Sequence, residues 1–224
     1  MESLEAIFVH IPKTAGVTLR QVLTDLYGPS AVFLSYHRKV EGIRPDIAQS
    51  VPPGTRVLAG HFTFRQIEHL YDPRRHKIFT FVREPLARFV SYYYHLKRHA
   101  HTTQATRIEK ARKHEPLWIY AANPFYFNVI HKYTKGLDLD DWNFIGRQET
   151  FDTDLPKLLD ILGQDLPKKK KESLCKLHFN ANRTYPPKTR PLAKPLNSWL
   201  KIINSKDRKV LAQIDLIRSK KGWL

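Results

Sequence analysis

Residues 6–11, AIFVHI, are almost continuously apolar and β-prone, and they run without a spacer into PKTAGVT and a stretch of helical periodicity. A strand that is apolar on both faces has to be covered on both faces, as inside a parallel sheet flanked by helices. The unit recurs at residues 77–82, KIFTFV, followed at once by REPLARFVSYYYH. There Pro85 suits the first position of a helix, and Leu86, Phe89, Val90 and Tyr93 recur at helical spacing on one apolar face. Between these units the pattern predicts a helix over residues 17–27, ended by Gly28-Pro29, and short strands at 32–35 and 56–60. Beyond them it predicts a strand at 143–147 and a helix over 152–162 with Leu155, Leu158, Leu159 and Leu162 on one stripe. A last helix over 206–220 buries Val210, Ile214 and Ile217. Such alternation implies an α/β fold with a central parallel sheet and helices on both faces, a three-layer sandwich.

At 224 residues the chain is long enough for one good-sized core, and a single domain over 1–224 is the expectation. Lys168 to Lys171 beside Pro167 is expected as a solvated loop, and Pro124 should interrupt any long helix in the aromatic stretch 117–133. A single cysteine, Cys175, leaves no internal disulfide, zinc cluster or cysteine redox pair. With no run near the roughly 20 apolar residues of a bilayer span and no secretory leader, the sequence is expected to be soluble and cytoplasmic. A luminal domain separated from its anchor would look the same. The formal charge of +17 favours anionic partners: nucleic acid, membrane, a polyanionic glycan or a multiply phosphorylated cofactor.

In an open parallel sheet, ligands bind at the carboxyl ends of the strands, where a strand-to-helix loop points backbone N–H groups outward. Residues 12–18, PKTAGVT, occupy that place after the first strand. Gly16 permits close backbone approach, Thr14 and Thr18 offer hydroxyls, and Lys13 supplies a mobile cation. Compared with the triphosphatase loop G-x-x-x-x-G-K-[ST], the first glycine is missing and the lysine stands at the front. The KIFTFV strand ends in Arg83-Glu84, with no aspartate placed for magnesium, which disfavours a kinase or other nucleotide triphosphatase. Arg83 at a strand end and Ser91 two turns into the next helix could together give one phosphate a guanidinium fork and a hydroxyl.

FVHIPKTAGVTL and FTFVREPLARFVSYYYH together resemble the sulfotransferases that use 3′-phosphoadenosine 5′-phosphosulfate (PAPS), in the branch that includes the heparan sulfate 2-O-sulfotransferases and bacterial relatives. Ala59-Gly60-His61-Phe62, FIGRQETFDTDLPKLLDIL, HFNANR and the closing helix with Asp215 resemble further pieces in the same order. The resemblance implies a fold related to P-loop nucleotide kinases and a donor spread over both motifs. Pro12, Lys13, the backbone of Thr14, Ala15, Gly16 and Val17, and the Thr18 hydroxyl would hold the 5′ side, Arg83 and Ser91 the 3′-phosphate. Arg183, in HFNANR, is a candidate for a nucleotide-covering loop. No metal is implied, since Lys13 and loop amides can meet leaving-group charge.

His61, in the Gly-His segment, is the implied general base for the acceptor hydroxyl. His10, three residues before Lys13, could face the donor–acceptor junction or sit in the sheet. Relatives carry arginine at the His10 position and a second histidine where Thr63 stands, which argues against a two-histidine mechanism. The acceptor is expected to be a saccharide, preferably an anionic one, gripped by the basic region 98–113 and the aromatic region 117–133. A nucleic-acid-binding module is the competing class: it would use +17 and the basic-aromatic stretches 92–98 and 132–135.

Overall fold

The computed structural model describes residues 3–36, 46–101, 110, 112–163, 166–177 and 194–224. β1 (Ala6–Val9) leads into α1 (Gly16–Tyr27), followed by β2 (Val32–Ser35), α2 (Ile47–Ser50), β3 (Val57–Gly60) and α3 (Phe64–Ile67). β4 (Lys77–Val82) and α4 (Pro85–His99) come next, then α5 (Leu117–Tyr120), α6 (Val129–Thr134) and β5 (Phe144–Arg147). The chain closes with α7 (Phe151–Leu162), α8 (Lys168–Cys175), α9 (Lys194–Ile203) and α10 (Ser205–Lys220).

The strands form one sheet in the order β2-β3-β1-β4-β5, every neighbouring pair parallel. From β1 the chain moves outward to β2, returns through β3, then crosses β1 to reach β4 and β5. Because parallel crossovers are right-handed, this reversal puts α1 on one face and the connections from β3 onward to β5 on the other. α7 comes back to the face of α1, where the Tyr27 hydroxyl donates to the Leu162 carbonyl at 3.4 Å. The expected three layers with a central parallel sheet are thus present. The reversal also opens a crevice at the carboxyl ends of β1 and its neighbours.

Central strands explain the continuous apolar runs. β1 and β3 are buried throughout and β4 everywhere except Lys77, whereas the edge strand β2 is partly exposed. On α1, Leu19, Val22 and Leu23 are fully buried, each contributing about 1.5–3 kcal/mol of apolar burial. A second apolar cluster joins Phe89, Val90 and Tyr93 of α4 to Tyr120, Tyr126, Leu200 and Ile203. The tyrosines of the stretch 92–98 therefore serve packing: Tyr93 is buried and Tyr92 lies 5.5 Å from the Tyr126 ring.

Several boundaries differ from the periodicity. β1 ends at Val9, two residues early, although His10 N still donates to the Gly60 carbonyl just beyond it. α1 starts at Gly16 and α10 at Ser205, one residue earlier than expected. The lysine run 168–171, expected as loop, is the first turn of α8: lysine is a good helix former, and Leu174 anchors the helix while Lys168, Lys169 and Lys170 stay exposed. Around Pro124 the stretch 117–133 breaks into short helical pieces as expected. No helix among the described residues is long and apolar enough to cross a membrane.

α10 is fastened at both ends by polar groups. The Asn128 side chain accepts from Lys206 N and Asp207 N, while Asp207 accepts from Ile130 N and His131 N, so α6 and α10 cap each other. Near its other end Arg218 forks onto Asp154 at 2.9 and 3.0 Å and also donates to the Ile145 carbonyl of β5.

Candidate active site

Four side chains of interest follow directly from strand ends: His10 after β1, Tyr36 after β2, His61 after β3 and Arg83 after β4. The parallel register that pairs Val9 with Gly60 and Ser35 with Gly60 brings the first three to one edge. The ladder is extended by His10 N donating to Gly60 O (2.9 Å) and His61 N donating to Ser35 O (3.2 Å). Gly60 is needed here because a Cβ would stand 2.1 Å from the Ser35 carbonyl oxygen.

The loop from Pro12 to Ala15 has the geometry of an anion cradle. Lys13 and Ala15 both adopt left-handed backbone conformations, φ 73° and 67°. Alternation of this kind turns successive N–H groups to one side of a loop. Ala15 at the N-cap offers no side-chain acceptor, and no acidic residue occupies the first turn of α1, so the positive end of the helix is not neutralised by its own chain. Thr14 is fully buried and its hydroxyl donates inward to the Ile11 carbonyl at 2.7 Å. Its hydroxyl braces the loop instead of pointing outward, as the sequence suggested; its backbone stays in the cradle. Pro12 and Lys13 are half-buried, Thr18 is buried, and Val17 is exposed on the first turn.

Gly16 has a further part that the sequence did not suggest. It admits an imidazole: a Cβ there would lie 1.8 Å from His10 Nε2 and 1.9 Å from Cε1. His10 accordingly sits beneath the loop, 7% exposed, stacked at 5.3 Å on Phe8, which itself stacks at 5.1 Å on Phe79 of β4. Its Nδ1 is hydrogen-bonded to the Tyr36 hydroxyl at 2.9 Å. The His61 ring completes the column at 4.3 Å from His10.

His61 Nδ1 lies 2.8 Å from the His10 carbonyl oxygen. A carbonyl can only accept, so Nδ1 carries the hydrogen, and in the neutral ring Nε2 keeps its lone pair. Burial is the main cause pushing the His61 pKa below the usual histidine value; the bond to the His10 carbonyl opposes it, and Arg20 and Lys13 add to the lowering. Burial, then the His61, Arg20 and Lys13 charges, holds His10 well below that value. Both rings are neutral near pH 7, and His61 presents a basic nitrogen in a fixed tautomer.

Lys13 is drawn down to about 8, first by burial and then by the positive charges of Arg98 and Arg83. Burial also lowers Arg83, against the pull of Glu149 and Glu84. Three cations thus gather at the loop, an arrangement that a multiply charged anion relieves. Glu84, the acid that follows β4, is committed to capping α4, accepting from Ala87 N at 2.6 Å. Glu149 accepts from Glu84 N at 2.7 Å and from Arg147 Nε at 3.1 Å, framing the segment that carries Arg83. Ser91 is half-buried on α4, six residues, or about 9 Å of helical rise, beyond Pro85. Arg183 lies outside the described residues. Among the described residues no group of three or more His, Cys, Asp or Glu side chains is gathered as for a metal ion.

Three contributors have weak or no sequence signals. Arg98 belongs to a basic stretch that suggested an acceptor wall, yet its charge acts on Lys13. Tyr36 and Arg20, the latter 5.2 Å over the Tyr36 ring, stand in no motif. Only the pairing of β2 with β3 brings Tyr36 to His61, at 4.7 Å between rings.

Comparison with known proteins bears on the fold and the family. The backbone superposes on the crystal structure of mouse sulfotransferase SULT7A1 complexed with PAP with a TM-score of 0.53 at 15% identity, over 77% of this chain and 62% of that one. The chain thus spans less than two thirds of that protein's length. Weaker likenesses are to a sulfotransferase from Alicyclobacillus acidocaldarius (TM-score 0.39, 16% identity, 76% of this chain and 89% of that one) and to retinol dehydratase in a complex with retinol and PAP (0.44, 18%, 76% and 63%). A search of curated proteins finds no match. The model of the family described as "Sulfotransferase family" matches residues 2–217, nearly the whole chain and both loops of the site, and the protein therefore belongs to the sulfotransferase family.

Proposed function

We propose that the protein transfers the sulfuryl group of PAPS to an acceptor hydroxyl. The carrying observation is that an anion cradle with Lys13 and Arg83 and a histidine with a fixed basic Nε2 converge on one edge of the sheet. The uncapped N-terminus of α1 and the backbone of the Pro12–Val17 loop suit the 5′-phosphosulfate, with the Thr18 hydroxyl beside them. Arg83, with Ser91 further along α4, suits the 3′-phosphate, and Arg183 is proposed to cover the nucleotide.

In this reading His61 Nε2 takes the proton of the acceptor hydroxyl as the acceptor oxygen forms its bond to sulfur. The bond from sulfur to the bridging phosphate oxygen breaks and leaves its electron pair on that oxygen. Lys13 and the loop amides meet the charge there, the electrostatic assistance that dominates such transfers. His10 lies beneath this point, and its role is to seat His61.

A saccharide acceptor is supported by Trp118 and Phe125, 67% and 70% exposed, which could stack on sugar faces within a basic protein. The nucleic-acid reading is weakened by Tyr93, which is buried and donates to the Glu115 carbonyl, and by Tyr92 packing on Tyr126. The decisive measurement is calorimetric binding of adenosine 3′,5′-bisphosphate to the wild type, Lys13→Ala and Arg83→Ala. Binding by the wild type that each variant weakens is expected; no binding by the wild type overturns the reading. Transfer from labelled donor to a panel of sugars, phenols and alcohols then identifies the acceptor class.

A further inference from the structure

Tyr36 takes no part in the roles assigned above, yet it is tied to both imidazoles. Its hydroxyl is hydrogen-bonded to His10 Nδ1 at 2.9 Å. Its ring stands nearly perpendicular to His10 (5.5 Å, 83°) and to His61 (4.7 Å, 79°). Arg20 covers the ring at 5.2 Å, and the carbonyl of the preceding residue, Ser35, accepts from His61 N. Tyr36 is therefore locked between α1 and the end of β3.

The torsion that turns an imidazole about its Cβ–Cγ bond is broad and roughly two-fold, so packing alone leaves a buried ring two settings. Gly16 and Phe8 hold the His10 ring in its slot but offer its edge no polar preference. The Tyr36 hydroxyl supplies one, because only one setting places Nδ1 against it. His61 leans on that ring at 4.3 Å and donates its Nδ1–H to the same residue's carbonyl.

We propose that Tyr36 is a positioning residue: through its hydroxyl on His10 Nδ1 and its ring against His61, it holds His61 with Nδ1–H on the His10 carbonyl and Nε2 turned to the acceptor. The proposal rests on His61 being the base in the function proposed above, but its test does not depend on turnover alone.

Protein labelled with ¹⁵N-histidine, with His61 assigned by difference from His61→Ala, reports the tautomer of His61 through long-range nitrogen–proton correlations. In the wild type His61 should be the Nδ1–H form. Tyr36→Phe, which keeps the ring, should mix the two tautomers and lower kcat about tenfold, with adenosine 3′,5′-bisphosphate affinity unchanged. Unchanged His61 signals in Tyr36→Phe overturn the proposal, whether or not kcat falls, and so does a wild-type His61 in the Nε2–H form. Mixed tautomers with an unchanged kcat also overturn it. A wild type that binds no bisphosphate sinks the functional reading instead, and the tautomer comparison still decides the role of Tyr36.

Discussion

His61 donates from Nδ1 to the backbone carbonyl of His10 across 2.8 Å, joining the residue after β3 to the residue after β1. The bond fixes the tautomer of the ring and leaves Nε2 as the proton acceptor. His61→Ala should therefore lower kcat by about 10²–10⁴-fold, the range of a general base, while adenosine 3′,5′-bisphosphate binding is retained. Steady-state kinetics beside calorimetry checks it; a parallel loss of binding would place His61 in the donor site.

The pH–rate profile should be bell-shaped. His61 must be neutral to accept a proton, and its pKa is lowered, so the acid limb of kcat/KM lies below the ordinary histidine value of about 6.5. Lys13 must be charged, so activity falls as pH rises through about 8. Arg98→Ala removes one of the charges that lower Lys13 and should move the alkaline limb upward. An unmoved limb would detach Arg98 from the site.

Folding stability should also depend on pH through His10. Its folded pKa is depressed, so below about pH 6.5 the unfolded chain takes up a proton that the folded one resists. Stability from this group is present in full above that pH and declines as pH falls toward the folded pKa, by up to about 1.4 kcal/mol per pH unit. Denaturant midpoints at pH 7.5, 6 and 5 test this, with His10→Phe expected to flatten the slope.

Gly16→Ala should be costly although the position is helical, where alanine is ordinarily the better residue. The added Cβ meets His10 Nε2 at 1.8 Å, so the ring or the loop must shift, at about 1–3 kcal/mol of overpacking. Weaker bisphosphate binding should accompany the loss of stability. Gly16→Ala with wild-type melting and binding would show that His10 does not occupy this slot.

Arg218 and Asp154 are each about 1% exposed and share a two-pronged ion pair. Replacing Arg218 with Met leaves Asp154 buried without its guanidinium, a loss of about 3–5 kcal/mol in chemical denaturation. Folded Arg218→Met protein should bind bisphosphate normally, since the pair lies on the β5–α7–α10 side and touches neither Lys13 nor Arg83.

The sequence by itself determined the parallel sheet and the two strand-loop-helix units, and it singled out the loop 12–18, because these depend on local pattern: apolar runs of strand length, Pro85 opening a helix, and a lysine with a glycine between strand and helix. His61 was legible only through its motif, since eleven histidines of similar surroundings cannot be ranked by pattern. What the tertiary structure decided is how these pieces meet. Gly16, read from the sequence for its close backbone approach, also leaves the space for His10; the Thr14 hydroxyl turns inward; Tyr36, Arg20 and Arg98 stand beside these residues without any motif. The Thr14 and Gly16 contacts are short-range and follow from the loop's own conformation, whereas the meeting of Tyr36, His61 and Arg83 with His10 and Lys13 depends on the β2-β3-β1-β4 order, which brings together residues 26 to 70 positions apart. Contacts over such separations are set by strand pairing and packing, and no local run of residues encodes them.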